Sequence, residues 1–262
     1  MAVPYLSAEY PLRFAHRGSR VLWPENTAEA FQGAIDLGYR YIETDVRITR
    51  DGVVVAFHDE TLERTTNGTG PVDQWNFADL RRLDAAWWFD PDHDYPLRGT
   101  GVQVRSLEEA FATWPDALFN IDLKGPNLEW PVADLIKRHS REESTLVGSF
   151  ADYRVTRFRH ITRGEIAVAA GPLSVLAMVA ASRIGKTVRR PVQAYQLPYN
   201  YRLVPIDRKL VAAIHAAGAQ LHTWTVNDAS DMGRLLDLGV DGIVTDRPDI
   251  LNEVLRERGH DV

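Results

Sequence analysis

A dipeptide, Asp51-Gly52, constrains this chain more than any other feature, because it separates two runs that both read as β-strand. Along the whole sequence, short apolar runs alternate with helix-length amphipathic segments. Strands are expected at Leu12–Ala15, Tyr39–Ile48, Val53–Phe57, Ala117–Leu123, Thr145–Phe150, Glu165–Ala169, Val192–Leu197, Gln220–Val226 and Gly242–Thr245. Helices are expected at Thr27–Leu37, Leu107–Thr113, Val132–His139, Asp152–Ile161, Leu173–Arg183, Asp207–Ala217, Ala229–Leu238 and Asp249–Arg256. Such alternation implies an α/β fold, a parallel sheet covered by helices. Nine strands are one too many for an eight-stranded barrel, and Asp51-Gly52 identifies the surplus. Asp-Gly is a two-residue hairpin signal, and so short a turn joins only antiparallel strands. Val53–Phe57 therefore folds back on the strand before it, leaving eight parallel strands and a (β/α)8 TIM barrel. With Asp51-Gly52 as the turn, Arg50 faces Val53, Val46 faces Phe57 and Asp45 faces His58, at a Cβ separation of about 5 Å.

The 262 residues show no repeat, low-complexity tract or linker, so a single domain over 1–262 is expected. Residues 60–105 are too long for a barrel connection and read as an inserted excursion rich in aromatics, among them Trp75, Trp87, Trp88 and Tyr95. Long loops at the carboxyl end of a barrel strand shape active sites. A net charge of −6 argues against a general nucleic-acid or anionic-membrane binder. No cysteine is present, which excludes disulfides and thiolate chemistry and suits a reducing compartment. Met1–Leu12 lacks the pattern of a signal peptide. The longest apolar stretch, Gly171–Ala181, is far shorter than the roughly 20 residues of a membrane span. A cytoplasmic protein without a membrane span is the expectation. Pro172–Ala181, followed by Arg183, Lys186, Arg189 and Arg190, reads first as a buried helix ending in surface charge, and second as an interfacial patch.

Chemistry concentrates near strand ends. His16 closes the first strand, where barrel catalytic groups sit, and His58 follows the hairpin; imidazoles move protons near neutral pH. Arg17 can fork onto phosphate oxygens, and Gly18 permits a sharp turn after it. Asn26 is expected to cap the following helix, with an amide that can also face the site. Glu43 and Asp45 share one strand face, because they alternate with Ile42, Thr44 and Val46. Inside a closed barrel their charge is costly, and a bound cation would resolve that cost. Asp122 and Lys124 repeat the pattern in Asn120-Ile121-Asp122-Leu123-Lys124: the aspartate becomes a third oxygen ligand, the lysine a phosphate contact. Trp224 opens the carboxyl end of the last-but-one strand. Asp90-Pro91-Asp92-His93-Asp94 lacks the glycine and terminal glutamate of a calcium loop and reads as a solvated polar loop.

Taken in order, these motifs resemble the glycerophosphodiester phosphodiesterase family, a barrel related to phosphatidylinositol-specific phospholipase C. The likeness runs from about Leu12 to Leu251. It rests on His16-Arg17-Gly18, Pro24-Glu25-Asn26-Thr27, Glu43-Thr44-Asp45-Val46, His58-Asp59-Glu60-Thr61-Leu62, Arg64-Thr65-Thr66-Asn67-Gly68, Trp224-Thr225-Val226-Asn227 and Asp241-Gly242-Ile243-Val244-Thr245-Asp246-Arg247-Pro248. The resemblance implies that His16 and His58 are an acid-base pair and that Glu43, Asp45 and Asp122 hold one divalent cation, magnesium or calcium. It implies phosphate contacts from Arg17 and Lys124, and a pocket wall from Trp224. One departure stands out: the family most often has glutamate where this chain has Asp122. The implied reaction is metal-assisted displacement at phosphorus, by water or by the neighbouring glycerol hydroxyl, with His16 as base and His58 as acid. The expected substrate is a small glycerophosphodiester. A lysophospholipid acted on in lysophospholipase D fashion is the alternative, and a barrel that binds a phosphodiester without catalysis is the third.

Overall fold

The computed structural model describes residues 4–7, 11–200 and 204–262, so half of the stretch 1–12 read above lies outside the described residues. Strands and helices alternate as β1 (Leu12–His16), α1 (Ala28–Asp36), β2 (Tyr41–Ile48), β3 (Val54–Ala56), α2 (Phe77–Leu80), α3 (Leu107–Thr113), β4 (Leu118–Leu123), α4 (Glu129–Arg138), β5 (Thr145–Gly148), α5 (Asp152–Ile161), β6 (Ala167–Val168), α6 (Pro172–Arg183), β7 (Ala194–Pro198), α7 (Arg208–Ala216), β8 (Gln220–Trp224), α8 (Ala229–Leu238), β9 (Gly242–Thr245) and α9 (Pro248–Glu257). Eight strands pair in the order β6-β5-β4-β2-β1-β9-β8-β7, all parallel. The end strands meet through one bridge, Ala169 with Ala194. The Ala170 N–H adds a bond to the Ala194 carbonyl at 2.8 Å, and the barrel is nearly closed. The strand expected over 165–169 shrinks to two residues, and the Val168 N–H donates to the Gln193 side chain at 2.9 Å.

β3 runs antiparallel to β2, as a tight turn requires, but one residue away from the expected register. Val46 pairs with Ala56, Arg47 with Val55 and Ile48 with Val54. The turn explains the shift, because its loop is three residues, 50–52, rather than two. Gly52 adopts φ +85°, its N–H donates to the Thr49 carbonyl at 3.0 Å, and the Thr49 N–H donates to the Val53 carbonyl at 2.9 Å. That is a hairpin with glycine in the left-handed position, braced by the Thr49 hydroxyl donating to Asp51 Oδ1 at 2.6 Å. Phe57, not His58, lies opposite Asp45, and its N–H donates to the Asp45 carbonyl at 2.9 Å. Val46 pairs with both Leu123 and Ala56. β3 therefore occupies the edge of β2 that β1 leaves after His16.

The main core lies between the strands and the helix ring, with Phe31, Ile42, Phe119, Ile121, Leu197 and Leu221 fully buried. Phe14, Tyr41, Leu146 and Val244 fill the barrel interior, and Tyr5 closes its lower end, its carbonyl accepting from the Tyr41 hydroxyl at 2.6 Å. The excursion over 60–105 has a core of its own, in which Leu62, Val72, Leu80 and Val104 pack on Val55 and Phe57. α6 corrects the first reading of its sequence. Only Met178 and Ser182 are fully buried, while Leu173 and Leu176 face out, because apolar residues surround this helix on all sides and some must point away from the barrel. Among the described residues, no helix is long and apolar enough to cross a membrane.

Candidate active site

Parallel pairing brings chemistry-bearing residues to one level at the carboxyl ends of the strands. His16 pairs with Glu43, Asp45 with Asp122, and Ala15 with Thr245, which sets His16 level with Asp246. His16 Nδ1 is 2.6 Å from Asp246 Oδ1, and Nε2 is 3.8 Å from Glu43 Oε2. Burial disfavours the imidazolium, but Glu43 and Asp246 outweigh it and raise the pKa of His16. Asp246 is fully buried and is itself held by Asn227 Nδ2 and Arg20 Nε, each at 3.0 Å. Burial alone would raise its carboxyl; the bond from His16 and then the other donors bring it down to about 2.

The turn after β1 is built from left-handed residues: Arg17 at φ +54°, Gly18 at +80° and Ser19 at +100°, with Asn26 at +59° closing the loop. Strained backbone of this kind clusters at functional sites. It folds Arg17 back over β2. The Arg17 N–H donates to Glu43 Oε2 at 3.1 Å, and Nη1 donates to Glu25 Oε1 at 2.8 Å. Nε lies 2.9 Å from Asp45 Oδ2 as a Coulombic contact, with its hydrogen not aimed at the oxygen. Asn26 is not the cap of α1. Thr27 is, accepting from the Ala30 N–H at 3.3 Å, because the left-handed backbone of Asn26 turns its amide inward. Asn26 Oδ1 accepts from Thr44 at 2.8 Å, and Nδ2 reaches Asp45 at 3.5 Å.

Three carboxylates share this level, with Glu43 and Asp45 buried and Asp122 partly buried. Burial, and then the charge of Asp45, push Glu43 up to about 7. Asp45 stays low despite burial, because Lys124 and Arg17 flank it. Lys124 Nζ bridges Asp45 Oδ1 at 3.0 Å and Asp122 Oδ2 at 2.5 Å. Burial raises Asp122, and its Oδ1 is buried without a hydrogen-bond partner. Among the described residues, no three histidine, aspartate or glutamate side chains converge on one point at ligating distance, since the ammonium of Lys124 stands between two of the carboxylates. The donor chemistry nonetheless suits a hard cation: all donors are carboxylate oxygens, two carry raised pKa values, and one oxygen is orphaned.

His58 reaches this cluster despite the shifted register, because ladder pairing ends at Phe57 and Arg47 Nε pins the His58 carbonyl at 2.9 Å. Burial lowers its pKa, and Asp45, Arg17 and Lys124 all act on its charge. Nδ1 is 2.5 Å from Asp59 Oδ1. Asp59 also accepts from Arg64, whose Nη1 and Nη2 reach Glu25 at 2.8 and 2.7 Å. Alternating charges thus link His58 to Arg17 through Asp59, Arg64 and Glu25. Trp224 ends β8 and meets Phe150 edge-on at 5.6 Å, and Lys124 Nζ lies 5.1 Å from the Phe150 ring. A cavity of about 360 Å³ opens beside the site between Glu25, Arg64, Trp88 and Asp246.

The structure brings together His16, Arg17, Asn26, Glu43, Asp45, His58, Asp122 and Lys124, with Trp224 at the edge. Reasoning from sequence gave no role to Asp246, Asp59, Glu25, Arg64 or Phe150. Asp246 had a signal: it stands just past the last barrel strand as His16 stands at the end of the first, and closure makes those strands neighbours.

The profile of the glycerophosphoryl diester phosphodiesterase family matches residues 16–250. A Mycobacterium tuberculosis protein, "Probable glycerophosphodiester phosphodiesterase 2", is 37% identical over 255 residues, covering 95% of this chain and 92% of that protein. A glycerophosphodiester phosphodiesterase of Caldanaerobacter subterraneus is 33% identical over 256 residues, covering 95% and 99%. Among solved structures, an Oleispira antarctica phosphodiesterase in complex with the product sn-glycerol-3-phosphate aligns with a TM-score of 0.78 at 25% identity, over 94% of this chain and 97% of that one. With the barrel and the arrangement at its mouth, these matches lead to one conclusion: the chain belongs to the glycerophosphoryl diester phosphodiesterase family.

Proposed function

We propose that this chain hydrolyses small glycerophosphodiesters to glycerol 3-phosphate and an alcohol by two-histidine acid-base catalysis that depends on one divalent cation. The observation that carries the reading is a pair of carboxylate-backed imidazoles, His16 on Asp246 and His58 on Asp59, around buried carboxylates flanked by Arg17 and Lys124. The family relatives act on this substrate class by name, and the Oleispira antarctica relative binds sn-glycerol-3-phosphate.

Asp246 accepts the Nδ1 proton of His16. That tautomer, assigned from the hydrogen bond, leaves Nε2 free on the side of Glu43 to take the proton of an attacking oxygen. His58, with Asp59 behind its Nδ1, gives a proton to the leaving alcohol. Arg17 and Lys124 hold the phosphoryl oxygens and meet the charge that builds there. Magnesium or calcium would be held by Glu43, Asp45 and Asp122, and when bound it neutralises phosphoryl charge. Attack by water and attack by the neighbouring glycerol hydroxyl use the same two imidazoles. The cysteine-free chain suits a cytoplasmic setting.

Release of glycerol 3-phosphate from glycerophosphocholine, followed with Mg²⁺, Ca²⁺ or EDTA, tests the reading. The expected result is cation-dependent turnover that falls about 10²–10⁴-fold in His16→Ala and in His58→Ala. Undiminished turnover in either variant would contradict the two-histidine mechanism, and full turnover in EDTA would contradict the cation.

A further inference from the structure

Eight large apolar side chains are markedly exposed among the described residues: Val21, Trp88, Trp130, Phe150, Tyr153, Leu173, Leu176 and Ile184. They are not scattered. Helices of a (β/α)8 barrel begin at the face where the strands end, the face that carries the site. Trp130, Tyr153 and Leu173 are each the second residue of their helix, on the consecutive helices α4, α5 and α6. Phe150 lies just before α5. Val21 and Trp88 stand across the opening, on the wall of the cavity beside Asp246. Six of the eight therefore ring the mouth.

Four of them follow one another along one arc of the rim, at or just before the starts of three consecutive helices. Trp130, Phe150, Tyr153 and Leu173 are 62%, 63%, 58% and 69% exposed, far above what a large apolar side chain in water favours. The arc is held together: α4 packs on α5, and the Asp152 carboxylate accepts from the Leu173 N–H at 3.1 Å, tying the start of α6 to the start of α5. It is continuous with the site, because Phe150 touches both Trp224 and Lys124.

We infer that this arc is a docking surface for a zwitterionic lipid layer, which it enters mouth-first to take a phosphodiester whose acyl chain stays in the layer. The inference rests on the phosphodiesterase reading above. Charge complementarity selects the occupant. Arg154 lies beside Tyr153, with Nε 3.1 Å from its hydroxyl. Asp152 lies between Tyr153 and Leu173, and Arg20 is half-exposed across the mouth. Both signs are thus offered to the paired charges of a zwitterionic head group, while a net charge of −6 opposes anionic lipid. The cavity beside the site is lined by polar side chains, among them Arg20, Glu25, Arg64 and Asp246, and as much by apolar ones, among them Val21, Trp88 and Phe89. At about 360 Å³ it has room for a glycerol or a small alcohol but not for a long acyl chain besides, which leaves that chain outside with the arc.

The test uses the whole protein with phosphatidylcholine vesicles and with lysophosphatidylcholine micelles. Binding is read without turnover, by quenching of tryptophan emission with brominated phosphatidylcholine, in wild type, Trp130→Ser and the double variant Trp130→Ser/Leu173→Ser. Turnover is read in parallel on soluble glycerophosphocholine and micellar lysophosphatidylcholine. The expected result is vesicle binding weakened about tenfold in the double variant. Its turnover of the micellar lipid should fall about as far, with turnover of the soluble diester unchanged. Vesicle co-sedimentation provides a readout that does not depend on Trp130. Absence of vesicle binding in wild type, binding only to anionic vesicles, or an arc buried in a dimer by sedimentation would overturn the inference while leaving soluble-diester turnover intact. Failure of the phosphodiesterase reading would instead show as no turnover of the soluble diester with any cation, whatever the vesicles do.

Discussion

His16 and Asp246 are 230 positions apart in the chain and 2.6 Å apart in the fold. Asp246→Asn keeps the shape of the side chain but removes the charge that raises His16 and puts an NH2 donor in place of one of the two acceptor oxygens. The pKa of His16 therefore falls. A base must be deprotonated to act, so the acidic limb of kcat/KM moves to lower pH, while kcat drops by about 10²–10⁴ because the imidazole loses its orienting partner. A pH profile of the variant checks both, and an unmoved limb would remove Asp246 from the mechanism. Lys124 makes a second case. Its ammonium bridges Asp45 and Asp122; Lys124→Met leaves those carboxylates uncompensated. Binding of Mg²⁺ or Ca²⁺, measured by calorimetry, should tighten, while KM for the diester rises about tenfold or more. His16, Arg17, Glu43, Asp45, His58, Asp122 and Lys124 were legible in the sequence, from alternating polarity and from positions at or just past strands, whereas Glu25, Asp59, Arg64 and Asp246 were not read from it. The contact of Lys124 with two carboxylates was not, since it depends on how far β4 stands from β2 and on which neighbour a flexible side chain reaches.

The turn between β1 and α1 presents Arg17, and Gly18 is its pivot. At φ +80° any Cβ is strained, and here it would also lie 2.6 Å from the Ala30 carbonyl carbon. Gly18→Ala should cost about 1–3 kcal/mol, read by urea unfolding. It should also lower kcat/KM more than stability loss explains, because the turn can relax only by moving Arg17 off Glu43. Equal stability of the variant would show that α1 accommodates the methyl. The β2–β3 hairpin shows how far local rules reach. Asp51-Gly52 announced antiparallel pairing, and that holds. The register did not follow, because Gly52 and the Thr49–Asp51 bond make a three-residue loop, and one residue of slip exchanges the faces of every side chain beyond it.

His222 is wholly buried inside the barrel, between Gln220 and Gln196 and beside Phe14. Burial lowers its pKa to about 3. The unfolded chain takes up a proton on this residue once pH falls below about 6.5, whereas the folded chain does not until about 3. Stability is thus at its full value above pH 6.5 and declines as pH falls from there towards 3. Between pH 7.5 and 4.5 this residue should account for about 2–3 kcal/mol of lost unfolding free energy. Urea titrations at both values, on wild type and on His222→Gln, isolate it: the variant should be less stable at pH 7.5 but lose correspondingly less on acidification. Equal losses would mean that a group other than His222 governs the acid limb.

What the sequence determined by itself was local. Apolar alternation set the number and order of the strands and of the helices between them, though not the short α2 in the excursion; the Asp51-Gly52 turn made one strand antiparallel, and positions at or near strand ends gathered most of the chemical groups. Those features act over a few residues, through sterics and the two-residue period of a strand. The tertiary structure decided which groups meet: Asp246 behind His16, Lys124 between Asp45 and Asp122, Arg64 between Asp59 and Glu25, and the apolar arc over three helix starts. These follow from barrel closure and inter-strand register, which are set by packing across the whole chain and which no short stretch of sequence encodes.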